Sequence, residues 1–208
     1  MSILLPDPTA GHQHAEYCYW DHLGAGWVCP EVEIRALPAE AADDVAVVAA
    51  VTDLVNEVYR QAEKGLWLDA ASRTNAAEVA ELIRAEEIVV ARLGGVIVGC
   101  VRFQQLDDGT SEFGLLAADV GHRGLGIGRK LVRFAERSSL DRGRGRMQLE
   151  LLVPREWSHP SKAFLAEWYG RSGYRVVRTD TIDGAYPHLA PLLATPCDFL
   201  VYLKDLSG

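Results

Sequence analysis

Residues 120–131 read VGHRGLGIGRKL. Gly124, Gly126 and Gly128 alternate with Leu125 and Ile127, Arg123 stands in front, and Arg129 and Lys130 follow. An amphipathic helix begins here, yet each glycine costs a helix about 0.5–1 kcal/mol relative to alanine. The stretch also follows SEFGLLAA at 111–118, which reads as a strand. A strand-to-helix turn this rich in glycine lets successive N–H groups converge, and the helix N-terminus adds its dipole. The pattern therefore predicts an anion cradle within an α/β fold.

Two phosphate loops are excluded by spacing. A P-loop counted from Gly121 needs lysine after Gly126 and finds Ile127. The dinucleotide pattern GxGxxG counted from Gly124 needs glycine at 129 and finds Arg129.

The rest of the chain frames this turn. EVEIR at 31–35 alternates like a strand. A long helix is predicted from Pro38, with Val47, Val51, Leu54, Val55 and Val58 on its buried stripe. Asn75 and Glu78 open a second helix that runs to about Ala85. IVVARL and VIVGCVRF flank Gly94-Gly95 as a hairpin. Further on come a helix over 127–141, a strand over 147–153, a helix over 160–173 and a strand at YRVVRT. A proline-containing loop (180–196) and a last strand, CDFLVYL, close the chain. The order predicts a mixed α/β fold with a central antiparallel meander, not a doubly wound sheet. Residues 1–30, rich in Gly, Pro, His and aromatics, are expected to form an irregular arm that packs on something.

The formal net charge of −8 argues against a nucleic-acid partner. No uninterrupted apolar run has membrane-spanning length, and the start lacks the features of a signal peptide. Cys18, Cys29, Cys100 and Cys197 form no CxxC pair and read as thiols of a reducing cytoplasm. His12, His14, Cys18, His22 and Cys29 match no zinc spacing, so no metal is expected.

RGLGIG at 123–128 resembles the Arg/Gln-x-x-Gly-x-Gly/Ala signature of the GNAT superfamily of acyl-CoA-dependent N-acyltransferases. FLAEWYGRSGY at 164–174 is similar to that family's late helix. The resemblance covers about residues 31–205. It implies a mostly antiparallel sheet that splays between its fourth and fifth strands, flanked by about four helices, within an acyltransferase domain of residues 31–208. It implies acetyl-CoA as cosubstrate and a primary amine of a small molecule or peptide as acceptor. Arg123, Gly124, Leu125, Gly126, Ile127 and Gly128 would hold the pyrophosphate, and the backbone of Leu116, Ala117 and Ala118 the pantetheine. Tyr169 would protonate the departing thiolate, and Glu112 would take the amine's proton.

Glu150, inside the apolar LEL at 149–151, is a second candidate base. The family often has an asparagine before the late helix. Lys162 stands at about that place and would meet a phosphate, with Ser158, His159 and Ser161 as other replacements. The acceptor is expected between residues 60–75 (Trp67, Asp69) and 180–197 (Asp183, Tyr186, His188), where an acidic, aromatic lining would suit an amine. Homodimers are common in the family, and the arm is available to cover a neighbour. The rival reading is a non-catalytic acyl-CoA sensor, which needs the cradle but neither Tyr169 nor a base.

Overall fold

The computed structural model describes residues 19–21, 26–28, 31–68, 72–106, 108–187 and 189–207. Within the N-terminal arm, Tyr19–Asp21 (β1) and Gly26–Val28 (β2) pair antiparallel, so the arm is not wholly irregular. The His12, His14, Cys18, His22 and Cys29 set lies outside the described residues.

Alternating and apolar runs build the seven strands of the main sheet. They are β3 (Glu33–Ala36), β4 (Ile88–Leu93), β5 (Val96–Gln105), β6 (Thr110–Ala118), β7 (Arg146–Pro154), β8 (Arg175–Asp180) and β9 (Cys197–Asp205). Their order is β3-β4-β5-β6-β7-β9-β8. Every pair is antiparallel except β6–β7. The last strand thus slips between β7 and β8, an insertion that the linear order of elements does not reveal.

The helices are α1 (Val45–Ala62), α2 (Ala76–Arg84), α3 (Ile127–Asp141), α4 (Pro160–Arg171) and a single turn, α5 (Ile182–Ala185). The helix expected from Pro38 begins later. Ala39–Asp43 forms a 3-10 turn, and Asp44 then accepts from the amides of Ala46 and Val47 at 2.9 and 3.2 Å, starting α1 afresh. Asn75 caps α2 as expected, accepting from Glu78 N at 3.0 Å.

Adjacent residues of β5 show how the layers are arranged. Gly99 faces α3, where an added Cβ would lie 2.5 Å from Ile127 Cγ2. Cys100 points the other way, toward α1, where its charge would act on Tyr59. Helices therefore cover both faces, with α1 and α2 on one side and α3 and α4 on the other. The core between them includes Val51, Val55, Ile83, Val90, Leu116, Leu131, Leu149 and Leu165, all buried.

The sheet opens at its centre. The parallel ladder of β6 and β7 ends at the pair Phe113–Leu149, although β6 continues to Ala118 and β7 to Pro154. On its other edge β6 stays paired with β5 as far as Gly99–Ala118. Gly114 to Ala118 therefore have a strand on one side and a gap on the other.

Candidate active site

The cradle forms at the end of β6. After Ala118, Asp119 accepts from Gly121 N at 2.9 Å and lies 2.8 Å from His122 Nδ1, holding Val120–His122 in a 3-10 turn. Gly124 (φ +83°) and Gly126 (φ +66°) then take left-handed conformations that only glycine adopts cheaply, and α3 begins at Ile127. No side chain caps α3, in contrast to α1 and α2. Its first amides and its dipole thus face a cavity of about 370 Å³. Arg123, Arg129 and Arg171 line that cavity, along with Phe164 and Trp168 of α4. A Cβ added to Gly126 would meet nothing within 4 Å, so the space in front of it is open. Arg123, Gly124, Gly126, Ile127 and Gly128 line this cavity together with Ala118, while Leu125 turns inward and is buried.

Leu116, Ala117 and Ala118 lie along the gap. Leu115 before them has φ +45°, at the point where the β5–β6 register shifts by one residue. A left-handed leucine costs about 1–3 kcal/mol, and such strain clusters at functional sites. Here it turns the backbone of β6 at the mouth of the gap.

Helix α4 presents two stripes. Phe164, Trp168 and Arg171 face the cradle, whereas Lys162, Leu165 and Tyr169 share the inward face. Lys162 is therefore not a phosphate ligand. Its Nζ donates to Glu63 Oε1 at 2.5 Å, both side chains are almost wholly buried, and Trp67 Nε1 donates to the other Glu63 oxygen at 2.5 Å. Burial pulls the Lys162 pKa down, and Glu63 opposes that shift. The residue replacing the family's asparagine is thus a strut between the C-terminal end of α1 and the start of α4. His159 sits beside it, with a pKa lowered by burial and by Lys162. Ser161 is buried, and Ser158 and His159 line a separate, shallower cavity away from the cradle.

Tyr169 is fully buried, its ring packed on Trp168, Phe113, Tyr174 and Tyr202 at centroid distances of 4.9–6.1 Å. Tyr59 approaches from α1, close enough for the Tyr169 phenol to act on its ionisation. Burial raises the Tyr59 pKa well above its usual value. Tyr59 looks like one more member of the α1 stripe in the sequence, and nothing local marks it as part of a site.

Two carboxylates flank the parting strands. Glu112 accepts from Gln104 Nε2 and Gln148 Nε2, each at 2.6 Å, so both its oxygens are engaged. Glu150, the first residue of β7 beyond the last pair with β6, accepts from Tyr186 Oη at 2.8 Å. Burial raises its pKa, and the charge of Glu112 raises it further, while Tyr186 and Arg178 pull it down.

On the α1 side lies a larger cavity of about 620 Å³, lined by Tyr59, Glu63, Lys64, Trp67, Arg73 and the 189–192 turn, among others. Residues 60–75 and 180–197 do meet here, in the isolated bridge Trp67–Leu193. The expected acidic lining is not found among the described residues. Glu63 is neutralised by Lys162, Asp183 is exposed, and Arg60, Lys64 and Arg73 make the lining basic. Asp69 and His188 lie outside the described residues.

A splayed mixed sheet with a glycine-rich, uncapped helix start at the splay defines an acyltransferase fold. The chain matches the family model described as Acetyltransferase (GNAT) family over residues 49–170, and it belongs to that family. Solved structures agree on the fold. An aminoglycoside 6'-N-acetyltransferase complexed with coenzyme A superposes with a TM-score of 0.62 at 16% identity, covering 85% of this chain and 98% of that one. PaiA N-acetyltransferase from Thermoplasma acidophilum, in complex with coenzyme A, gives 0.61 at 15%, covering 84% and 99%. The ribosomal-protein-S18-alanine N-acetyltransferase from Escherichia coli gives 0.59 at 15%, covering 85% and 95%. Comparison with curated protein sequences gives no match. No described helix is long and apolar enough to cross a membrane.

Proposed function

We propose that this protein transfers an acetyl group from acetyl-CoA directly to a primary amine. The observation that carries the reading is the uncapped, glycine-bounded start of α3 opening beside the gap between β6 and β7. The amides of residues 123–128 suit a pyrophosphate, and Arg123 and Arg129 add charge. The free edge of β6 at Leu116 to Ala118 suits the amide-bearing pantetheine arm. Neighbours of the same fold bind coenzyme A, which supports the same guest.

Acetyl-CoA supplies an activated acyl carbon; the chain supplies position and proton traffic. Glu150 takes a proton from the incoming ammonium, since a carboxylate with a raised pKa is a better base near neutrality. Glu112 acts on it through charge and is itself held by two glutamines. The freed amine forms the C–N bond, and a backbone N–H of the bulged β6 stabilises the oxyanion. Tyr169 donates its phenolic proton as the C–S bond breaks, and the proton that the nitrogen sheds in becoming an amide restores the phenol.

Release of free thiol from acetyl-CoA, with and without amines, tests this reading. Amine-dependent release is expected. Micromolar binding of acetyl-CoA with no turnover on any amine would favour the sensor, and no binding would exclude both.

A further inference from the structure

The larger cavity shows what the acceptor must look like, given that the acetyl-transfer reading holds. The chain carries a net charge of −8, yet this cavity is basic. Arg60 is held by Glu57, and Glu63 by Lys162 and Trp67. Among the described residues, Lys64 and Arg73 form no ion pair.

Arg73 is built into place. Asn56 accepts from the amides of Arg73 and Thr74 at 2.9 and 3.1 Å and donates to Thr74 O at 3.0 Å, tying the loop to α1. The guanidinium lies over the Tyr59 ring, 5.3 Å from its centroid. Its Nε is buried and has no hydrogen-bond partner among the described residues. Its charge reaches both Tyr59 and Tyr186, and Tyr186 donates to Glu150. A positioned guanidinium donor therefore stands at the cavity wall, within electrostatic reach of the tyrosine that donates to Glu150. A planar guanidinium with a free donor recognises oxyanions, because two parallel N–H groups match two oxygens.

We infer that the acceptor amine carries an oxyanion, a carboxylate or a phosphate, on the same molecule, and that Arg73 binds it. Lys64 adds long-range attraction, and the two functional groups of the acceptor sit between Arg73 and Glu150.

The test is kcat/KM by thiol release for matched pairs: amino acids against the amines left by their decarboxylation, and phosphoethanolamine against ethanolamine. The anion-bearing member is expected to exceed its anion-free partner at least tenfold, mainly through KM. The pair with the larger ratio tells carboxylate from phosphate. In Arg73→Gln that ratio should collapse toward one, and Arg73→Lys should retain part of it. Equal or better turnover of the anion-free amines, or an unchanged ratio in Arg73→Gln, overturns the inference while leaving acetyl transfer standing. Turnover of no amine at all overturns acetyl transfer and this inference together. If Arg73→Gln fails to fold, the wild-type ratios still decide.

Discussion

Glu150 and Tyr169 are single residues whose surroundings set their chemistry. Glu150 holds its proton more tightly in the folded chain than in the unfolded one, because burial and Glu112 outweigh Tyr186 and Arg178. Its contribution to stability is therefore full below the unfolded pKa and is lost as pH rises through the higher folded value. Glu150→Gln should remove that cost at neutral pH and raise Tm. The same change should lower kcat/KM about 10²–10⁴-fold and abolish an ascending pH limb whose inflection lies above the ordinary carboxylate range. Calorimetry and a pH–rate profile check the two halves. Tyr169→Phe should lower kcat while leaving acetyl-CoA affinity nearly unchanged; an unchanged kcat would remove the phenol from the mechanism. Tyr169 stands out in the sequence because it lies in a recognisable helix, WYGRSGY. Tyr59 and Arg73 do not, since one looks like a core aromatic and the other like a loop cation, and only the fold brings them to one cavity.

The pairing of α3 with β5 fixes the cradle at the scale of elements. Gly99 leaves room for Ile127, the first residue of α3. Gly99→Val should cost about 1–3 kcal/mol through overpacking and also weaken acetyl-CoA binding, because it pushes the helix start away from the sheet. Gly126→Val acts differently. It places a β-branched residue at φ +66° and projects the side chain into the open cavity. Binding of acetyl-CoA by isothermal titration should fall at least about a hundredfold, given a left-handed penalty of roughly 1–2 kcal/mol and the lost amide contacts. The strand, glycine turn and amphipathic helix were all readable, because local spacing determines them. The insertion of β9 between β7 and β8 was not, because strand order depends on pairings across the whole sheet.

Lys162 and Glu63 join distant parts of the molecule, 99 positions apart. Lys162→Met would leave Glu63 and its Trp67 bond buried beside an apolar group, at a cost of about 3–5 kcal/mol by denaturant unfolding. Lys162→Met with Glu63→Leu should recover most of that loss, as expected of a strut and not of a phosphate ligand. No local pattern announces such a pair, which is why the lysine reads in sequence as a cofactor contact. The central claim, direct transfer from donor to amine across the gap between β6 and β7, is tested by following acetyl-CoA labelled with ¹³C at its carbonyl by NMR. The label should move from thioester to amide in one step and only when an amine is present. A label that stays in the thioester, or appears first on the protein, would contradict it.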